Sequence, residues 1–400
     1  VSFDPAVETA RYLATLSPEA HAKAIAYTQG GHWLILFGLM VSLASAWVIL
    51  KSGLLTRLRR RIEVTHSRPL LVSMCVAAAY LLLDGLISLP WTIYTDWWRQ
   101  RSYGLSSQAF GDWAGQAALS TLLSVALGSI FLVLFYVLIR RTGRQWWVWA
   151  GGLTMSFILF VALVAPVVIE PLFNQYKPAP AGPVRVAVEA LARDHGIRSD
   201  RIFVYDGSRQ SNAYTANVSG LAGSARIAMS DAMFAKNADV FEVRAVVGHE
   251  MGHYVRHHLV WIALVLSSLA LLGFFLVDRL FEPVSLWMGA PLLKGLSDPA
   301  GLPVIFAILA VLGTLGQPVR NSLVRMAEND ADQFSLSQVN EPDGLSRALV
   351  KTIEYRASSP TGLEEFIFYD HPSVERRISR AMTWKASHSV NASQPAAPRP

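Results

Sequence analysis

Three side chains within five residues open the chemistry of this chain: His249, Glu250 and His253, in the segment HEMGH. On a helix, residues four apart share a face, so His249 and His253 can offer imidazole nitrogens to one zinc ion per chain. Glu250 stands on the same turn, where its carboxylate can take a proton from water that the metal makes acidic. Gly252 leaves room for close backbone approach. A catalytic zinc needs a third protein ligand and an open position. The segment NSLVRMAENDADQFSLS supplies a candidate in Glu328, with Asp332 four residues on to hydrogen-bond a ligating histidine and fix its tautomer. A solvated acidic helix face fits the same spacing equally well. Further along, HPSVERRI contributes His371 and Arg377, side chains able to stabilise an oxyanion. A purely structural histidine is the plainer reading of His371. His257 and His258 read as interfacial residues rather than ligands.

The surroundings of this motif are apolar. The run Leu259 to Val277 begins directly after His258. Of the 400 residues, 52% are hydrophobic and 16% charged, and the mean hydropathy is +0.34. An ordinary soluble domain carries about 25% charged residues. Six stretches approach or exceed the roughly 18–20 apolar residues that span a bilayer as a helix: about 33–50, 70–92, 115–139, 146–169, 258–278 and 302–319. Tryptophans such as Trp91, Trp97, Trp146 and Trp149 sit near the ends of these runs, where amphipathic rings prefer the headgroup layer. A soluble protein is excluded. Asp84 interrupts the second run, as a functional carboxylate or as a hydrogen-bond acceptor within the bundle. Cys75 is the single cysteine, so no disulfide framework exists. The net charge of +6 comes largely from loop arginines, and no stacking aromatics interleave with the cluster KSGLLTRLRRRIE. Nucleic acid is therefore not an expected partner, whereas membrane lipids are.

These elements divide the chain into a membrane region at 1–169 with four spans, and a domain at 170–385 that carries the candidate zinc site and includes the spans at about 258–278 and 302–319. A disordered tail follows at 386–400. Within the second part, RIFVYDG, SNAYTANVSG and SARIAMS read as a three-stranded meander. A helix from about 239 carries HEMGH and is expected to run on into the fifth span. Positive-inside bookkeeping sets loops 51–69, 140–145 and 279–301 on the cytoplasmic side and both polar segments, 170–257 and 320–400, on the other. With short, bacterial-looking loops, the expected location is a bacterial inner membrane with a periplasmic catalytic side. The first residue is Val1, so an upstream signal or an additional span is expected to have been removed.

In EPLFNQY, SNAY, HEMGH, NSLVRMAENDAD and HPSVERRI, in this order, the chain resembles the type I CAAX prenyl endopeptidases, membrane-embedded zinc metallopeptidases. The resemblance covers roughly residues 8–380. It implies a mainly α fold: a polytopic barrel of membrane helices around an intramembrane chamber, with a small α+β zinc peptidase domain. It implies zinc held by His249, His253 and Glu328, Glu250 as general base, and His371 and Arg377 facing the cleft. It implies that Asn212, Ala213 and Tyr214 align an extended substrate by edge-strand pairing. Substrates would be extended peptides or proteins, lipidated or membrane-tethered ones among them. Members of the family usually have seven spans, and eukaryotic members place the catalytic domain in the cytosol; the six spans and the charge count here differ on both points. Two other readings compete: a membrane quality-control protease similar to the HtpX heat-shock type, and a non-catalytic scaffold stabilised by zinc. An intact Glu250 argues against the second, because a structural zinc needs no base and has a closed shell.

Overall fold

The computed structural model describes residues 3–65, 68–211, 214–220, 225–235, 238–290, 293–351 and 356–392. Helix α1 (Pro5–Leu13) precedes α2 (Pro18–Ser52), which is capped by Ser17 at one end and ended at the other by Gly53 in the left-handed conformation. The basic segment after it is a helix, α3 (Leu54–Thr65), rather than a loop. Next, α4 (Pro69–Thr92) continues through a π-turn at Ile93–Trp98 into α5 (Arg99–Ser102), so much of the expected loop at 93–114 is also helical.

Helix α6 (Phe110–Thr142) and helix α7 (Trp146–Val164) belong to one nearly continuous helical run, Phe110–Phe173, of 64 residues. Straight, such a run would extend about 96 Å, three times a hydrocarbon core. It does not stay straight. Gly143, at φ 54°, reverses the chain, and α7 folds back antiparallel on α6, with Phe131 against Phe157 and Phe135 against Trp146 (ring centroids 5.0 and 5.2 Å). The run is therefore two spans.

The short α8 (Glu170–Phe173) leads into the peptidase domain: β1 (Tyr176–Pro178), α9 (Pro183–Asp194), β2 (Ile202–Tyr205), β3 (Ala216–Ser219), β4 (Arg226–Ser230) and α10 (Val240–Val255). The sheet order is β1-β2-β4-β3, with β2 and β4 parallel and the outer pairs antiparallel. The expected meander is corrected on two counts: Tyr176–Pro178 adds a fourth strand, and β3 lies at the edge instead of between its neighbours. The reason is burial. Ile227, Ala228 and Met229 of β4 are completely enclosed, and the inner position between β2 and β3 pairs both backbone edges of this buried run.

Chain order then gives α11 (His258–Trp287), α12 (Leu302–Leu315), α13 (Gln317–Val339), α14 (Pro342–Lys351), α15 (Gly362–Phe368) and α16 (Val374–Ala392). Helix α16 reaches Ala392, into the segment expected to be a disordered tail from 386. Helix α12 is about 21 Å long and does not span alone. It forms a broken span with α13, bent by 56°.

Six helices make a closed ring: α2 packs on α4, α4 on α6, α6 on α7, α7 on α11, α11 on α12, and α12 on α2. In the apolar windows of α2, α4, the α6–α7 run and α11, only 17–28% of residues are buried, so each helix is a wall with two open faces. The buried positions concentrate at one end. Ile49, Val76, Phe135, Trp146, Val277 and Ile305 belong to one core near helix α3, the turn at 143–145 and the start of α12. Arg59 and Asp298 form a buried ion pair there, and Arg140 binds Ser73 Oγ at 2.8 Å. Towards the other end, residues 114–128 of α6 and 152–164 of α7 contain no buried position. The barrel is solid at one end and hollow at the other, and the peptidase domain caps the hollow end. Asp84 accepts a hydrogen bond from Ser45 across α2 and α4 (2.6 Å), the plainer of its two expected roles.

Candidate active site

Helix α10 starts at Asp239, whose carboxylate caps Phe241 N at 2.9 Å, and carries HEMGH in its last three turns. Its glycines set the packing. A Cβ on Gly248 would lie 2.4 Å from Val339 Cγ2, and one on Gly252 would lie 3.0 Å from Ala331 Cα, both on α13. The two helices thus meet almost backbone to backbone, which brings the carboxylate of Glu328 to both imidazoles.

His249 Nε2 and His253 Nε2 are 3.1 Å apart. Glu328 Oε2 is 3.2 Å from the first and Oε1 is 3.3 Å from the second. Ligands placed tetrahedrally 2.0–2.1 Å from a zinc ion stand about 3.3 Å from one another, so this triangle has the right size. Two facing imidazole nitrogens and a carboxylate also have the right chemistry. Glu328 Oε2 is buried and lacks a hydrogen-bond partner among the described residues, although His249 Nε2 is close. That is the arrangement of lone pairs turned on a common point. The three residues fit a metal ion.

The remaining imidazole nitrogens are held too. His249 Nδ1 meets Asp332 Oδ1 at 2.9 Å, and Arg377 grips Asp332 with two hydrogen bonds, Nε to Oδ2 at 2.7 Å and Nη2 to Oδ1 at 2.6 Å. Burial works against a charged His249, but the carboxylates of Asp332 and Glu328 push its pKa up, to about 10. Without a cation, the acids hold a proton on this ring; a divalent ion competes for the same lone pair.

A cavity of ≈ 290 Å³ opens over the triangle, lined by Tyr214, Glu250, Leu349, Arg356, His371 and Arg377 among others. No described residue hydrogen-bonds the Glu250 carboxylate, which faces this space. Burial pushes its pKa up, away from the ordinary carboxylate range, and the neighbouring His249 and His253 pull the other way. His371 stands across the cavity with Nε2 3.3 Å from Glu328 Oε1, its Nδ1 2.9 Å from Asp370 Oδ1. Arg377 lies 3.8 Å from Glu328 Oε2 but is committed to Asp332.

The structure thus gathers His249, Glu250, His253, Glu328, Asp332, His371, Arg377 and Tyr214 at one place. Asn212 and Ala213 lie outside the described residues. Three neighbours escaped the sequence reading. Asp370, which directly precedes His371, holds its ring, and Arg356 reaches Asp370 at 3.3 Å. His258 is 2% exposed and touches His253, so its reading as an interfacial residue is corrected. The expectation of one unbroken helix from about 239 into the fifth span is corrected with it, because His257, at φ 54°, separates α10 from α11.

Residues 178–385 match the sequence model of peptidase family M48. The chain belongs to this family. Residues 8–175 match the CAAX prenyl protease N-terminal region, described as five membrane helices; four of the spans of this M48 chain fall there. It is 30% identical to the uncharacterized metalloprotease YhfN of Bacillus subtilis, over 92% of this chain and 86% of that protein. It is 27% identical to CAAX prenyl protease 1 of Saccharomyces cerevisiae, over 77% and 71% respectively. The crystal structure of S. mikatae Ste24p shares the fold, with a TM-score of 0.74 at 22% identity over 94% of this chain and 95% of that one. This M48 protein is an integral-membrane zinc metalloendopeptidase of the CAAX prenyl protease-like kind. The quality-control and scaffold readings are not favoured, since the likeness extends through the membrane region as well as the peptidase domain.

Proposed function

We propose that His249, His253 and Glu328 hold one zinc ion and that Glu250 is the general base of peptide-bond hydrolysis. The observation that carries this is the 3.1–3.3 Å triangle of His and Glu atoms with Glu250 beside it, its carboxylate hydrogen-bonded by no described residue. A zinc ion there would supply Lewis acidity toward a peptide carbonyl and toward water. Glu250 takes the proton of the attacking water and passes it to the departing amine. His371, steadied by Asp370, donates to the carbonyl oxygen as it gains negative charge. Arg377 acts mainly through Asp332, which orients His249. Tyr214, which lines the cavity, and the adjoining edge strand β3, packed on α10, support an extended substrate pairing by its backbone; Asn212 and Ala213, which precede Tyr214 in the chain, are proposed as substrate-binding residues with it.

The substrates we propose are extended peptides tethered to the membrane or carrying a lipid. Two features support this: the apolar, hollow half of the barrel opens beneath the site, and several relatives are named CAAX prenyl protease 1. On the arginine bias of loops 51–69 and 140–145, the catalytic end faces away from the cytoplasm. Thiol labelling of Ser106→Cys and Ser199→Cys, each in a background with Cys75→Ser, decides it. The deciding activity experiment compares prenylated and unmodified peptides on the purified protein, with and without chelator. Chelator-sensitive cleavage favouring the prenylated peptide is expected. Cleavage that ignores the chelator would sink the metal mechanism, and equal cleavage of both peptides would sink the substrate proposal.

A further inference from the structure

The second ring nitrogen of His253 is not free. His258 Nδ1 lies 2.8 Å from His253 Nδ1, and His258 Nε2 lies 3.1 Å from Asp330 Oδ2. Both imidazole rings are set edge to face, with centroids 4.9 Å apart. His258 itself is enclosed, whereas Asp330 reaches it from α13, between Glu328 and Asp332 in the chain.

Only one assignment of hydrogens satisfies every contact if His253 gives its Nε2 lone pair to a cation. His253 then carries its hydrogen on Nδ1 and donates it to His258 Nδ1. His258 carries its own on Nε2 and donates it to Asp330. Each donor meets an acceptor, and the charge of the carboxylate is passed toward the ligand ring. The backbone is arranged for this contact. The left-handed His257 breaks the helix directly after Arg256, so α11 sets off in a new direction with His258 as its first residue. An unbroken helix would carry position 258 five residues beyond His253, about 140° round the axis from it.

From this geometry we infer that His258 is a positioning residue for the metal centre, held by Asp330, and that it ties His253 to the first turn of the chamber-wall helix α11. His249 and His253 are then held by separate devices, Asp332–Arg377 for one and His258–Asp330 for the other. The inference rests on the assignment of His249, His253 and Glu328 as ligands.

The test is a zinc titration of the full-length, metal-stripped protein in detergent, against a competing chromophoric chelator. It is paired with the cobalt absorption spectrum and the thermal transition of the metal-free form. His258→Leu, which offers no acceptor, is expected to weaken zinc binding 10- to 100-fold and to alter the cobalt bands. His258→Asn, whose amide oxygen accepts the same hydrogen, is expected to recover most of the affinity. Asp330→Asn, at a carboxylate 41% exposed, should give a smaller loss with an unchanged metal-free transition. Wild-type zinc affinity in His258→Leu would overturn the inference. If that variant does not fold, undiminished affinity in Asp330→Asn overturns it instead. Glu328→Ala in the same titration separates the two levels: binding equal to wild type would remove the ligand assignment, and the inference with it.

Discussion

Gly252 of α10 lies against Ala331 of α13 with no room for a side chain between them: a Cβ at 252 would stand 3.0 Å from the Ala331 Cα and 3.2 Å from its carbonyl oxygen. This contact fixes the helix spacing, and the spacing fixes the distance from Glu328 to the two imidazoles. Gly252→Ala must push backbone against backbone. It should cost about 1–3 kcal/mol of stability and weaken zinc binding, although residue 252 is no ligand. Gly313→Ala is the comparison, since nothing lies within 4 Å of the added methyl; there the change should be neutral or stabilising by about 0.5–1 kcal/mol. Thermal denaturation with a parallel metal assay checks both.

Glu250 touches no ligand atom of the triangle. Glu250→Gln should therefore leave the metal content near that of the wild type while kcat falls at least about 100-fold. Turnover kinetics and elemental analysis on the same preparation check this. Retained turnover would take Glu250 out of the mechanism.

Removing Glu328 takes the third corner of the proposed metal site and leaves two facing imidazoles. Glu328→Ala should lose most of its metal, and added zinc should restore activity to the chelator-stripped wild type but not to the variant. Because Asp332 and Glu328 hold a proton on His249 in the metal-free protein, zinc binding should release protons. Its apparent affinity should rise with pH through neutrality. Calorimetry in two buffers of different ionisation enthalpy reads the proton count.

Arg377 and Asp332 act as one device, joined by two short hydrogen bonds. Arg377→Ala takes two hydrogen bonds from the buried Asp332 and leaves it only His249, so it should slow hydrolysis and weaken zinc retention. Adding Asp332→Asn should cost far less than the sum of the single losses. Additive losses in a double-mutant cycle would show two independent roles.

His257 carries a left-handed φ of 54° that a glycine adopts without strain. His257→Gly should keep or slightly raise the melting temperature and keep activity. His257→Val should lose about 1–2 kcal/mol and, by straightening the junction, weaken the hold on His253. Circular dichroism melts of the two variants, with zinc content, check this.

Much of this protein was legible along the chain because its determinants are local. Six apolar runs demanded a membrane, since no other solvent accepts them. HEMGH set two imidazoles on one helical face by the pitch of the helix alone, and the spacing of Glu328 and Asp332 put two carboxylates on one face of another, without saying whether that face meets solvent or the imidazoles. What the sequence left open were relationships between distant segments. The buried β4 is paired on both edges, by β2 and β3, and no alternation within Arg226–Ser230 reveals that. Asp370, Arg356 and Asp330 gained roles only once the helices were packed.

His258 marks the boundary most clearly. As a letter after HEMGH it is one more polar residue at the edge of an apolar run. Its role depends on the backbone turning at His257 and on α13 delivering Asp330, and neither the turn nor the encounter is written in the spacing of the residues themselves. Helical period and hydropathy act over a few residues, so the chain alone determines which side chains exist and which face they share. Distances between faces come from close packing, here through two glycines, and only the folded protein decides them.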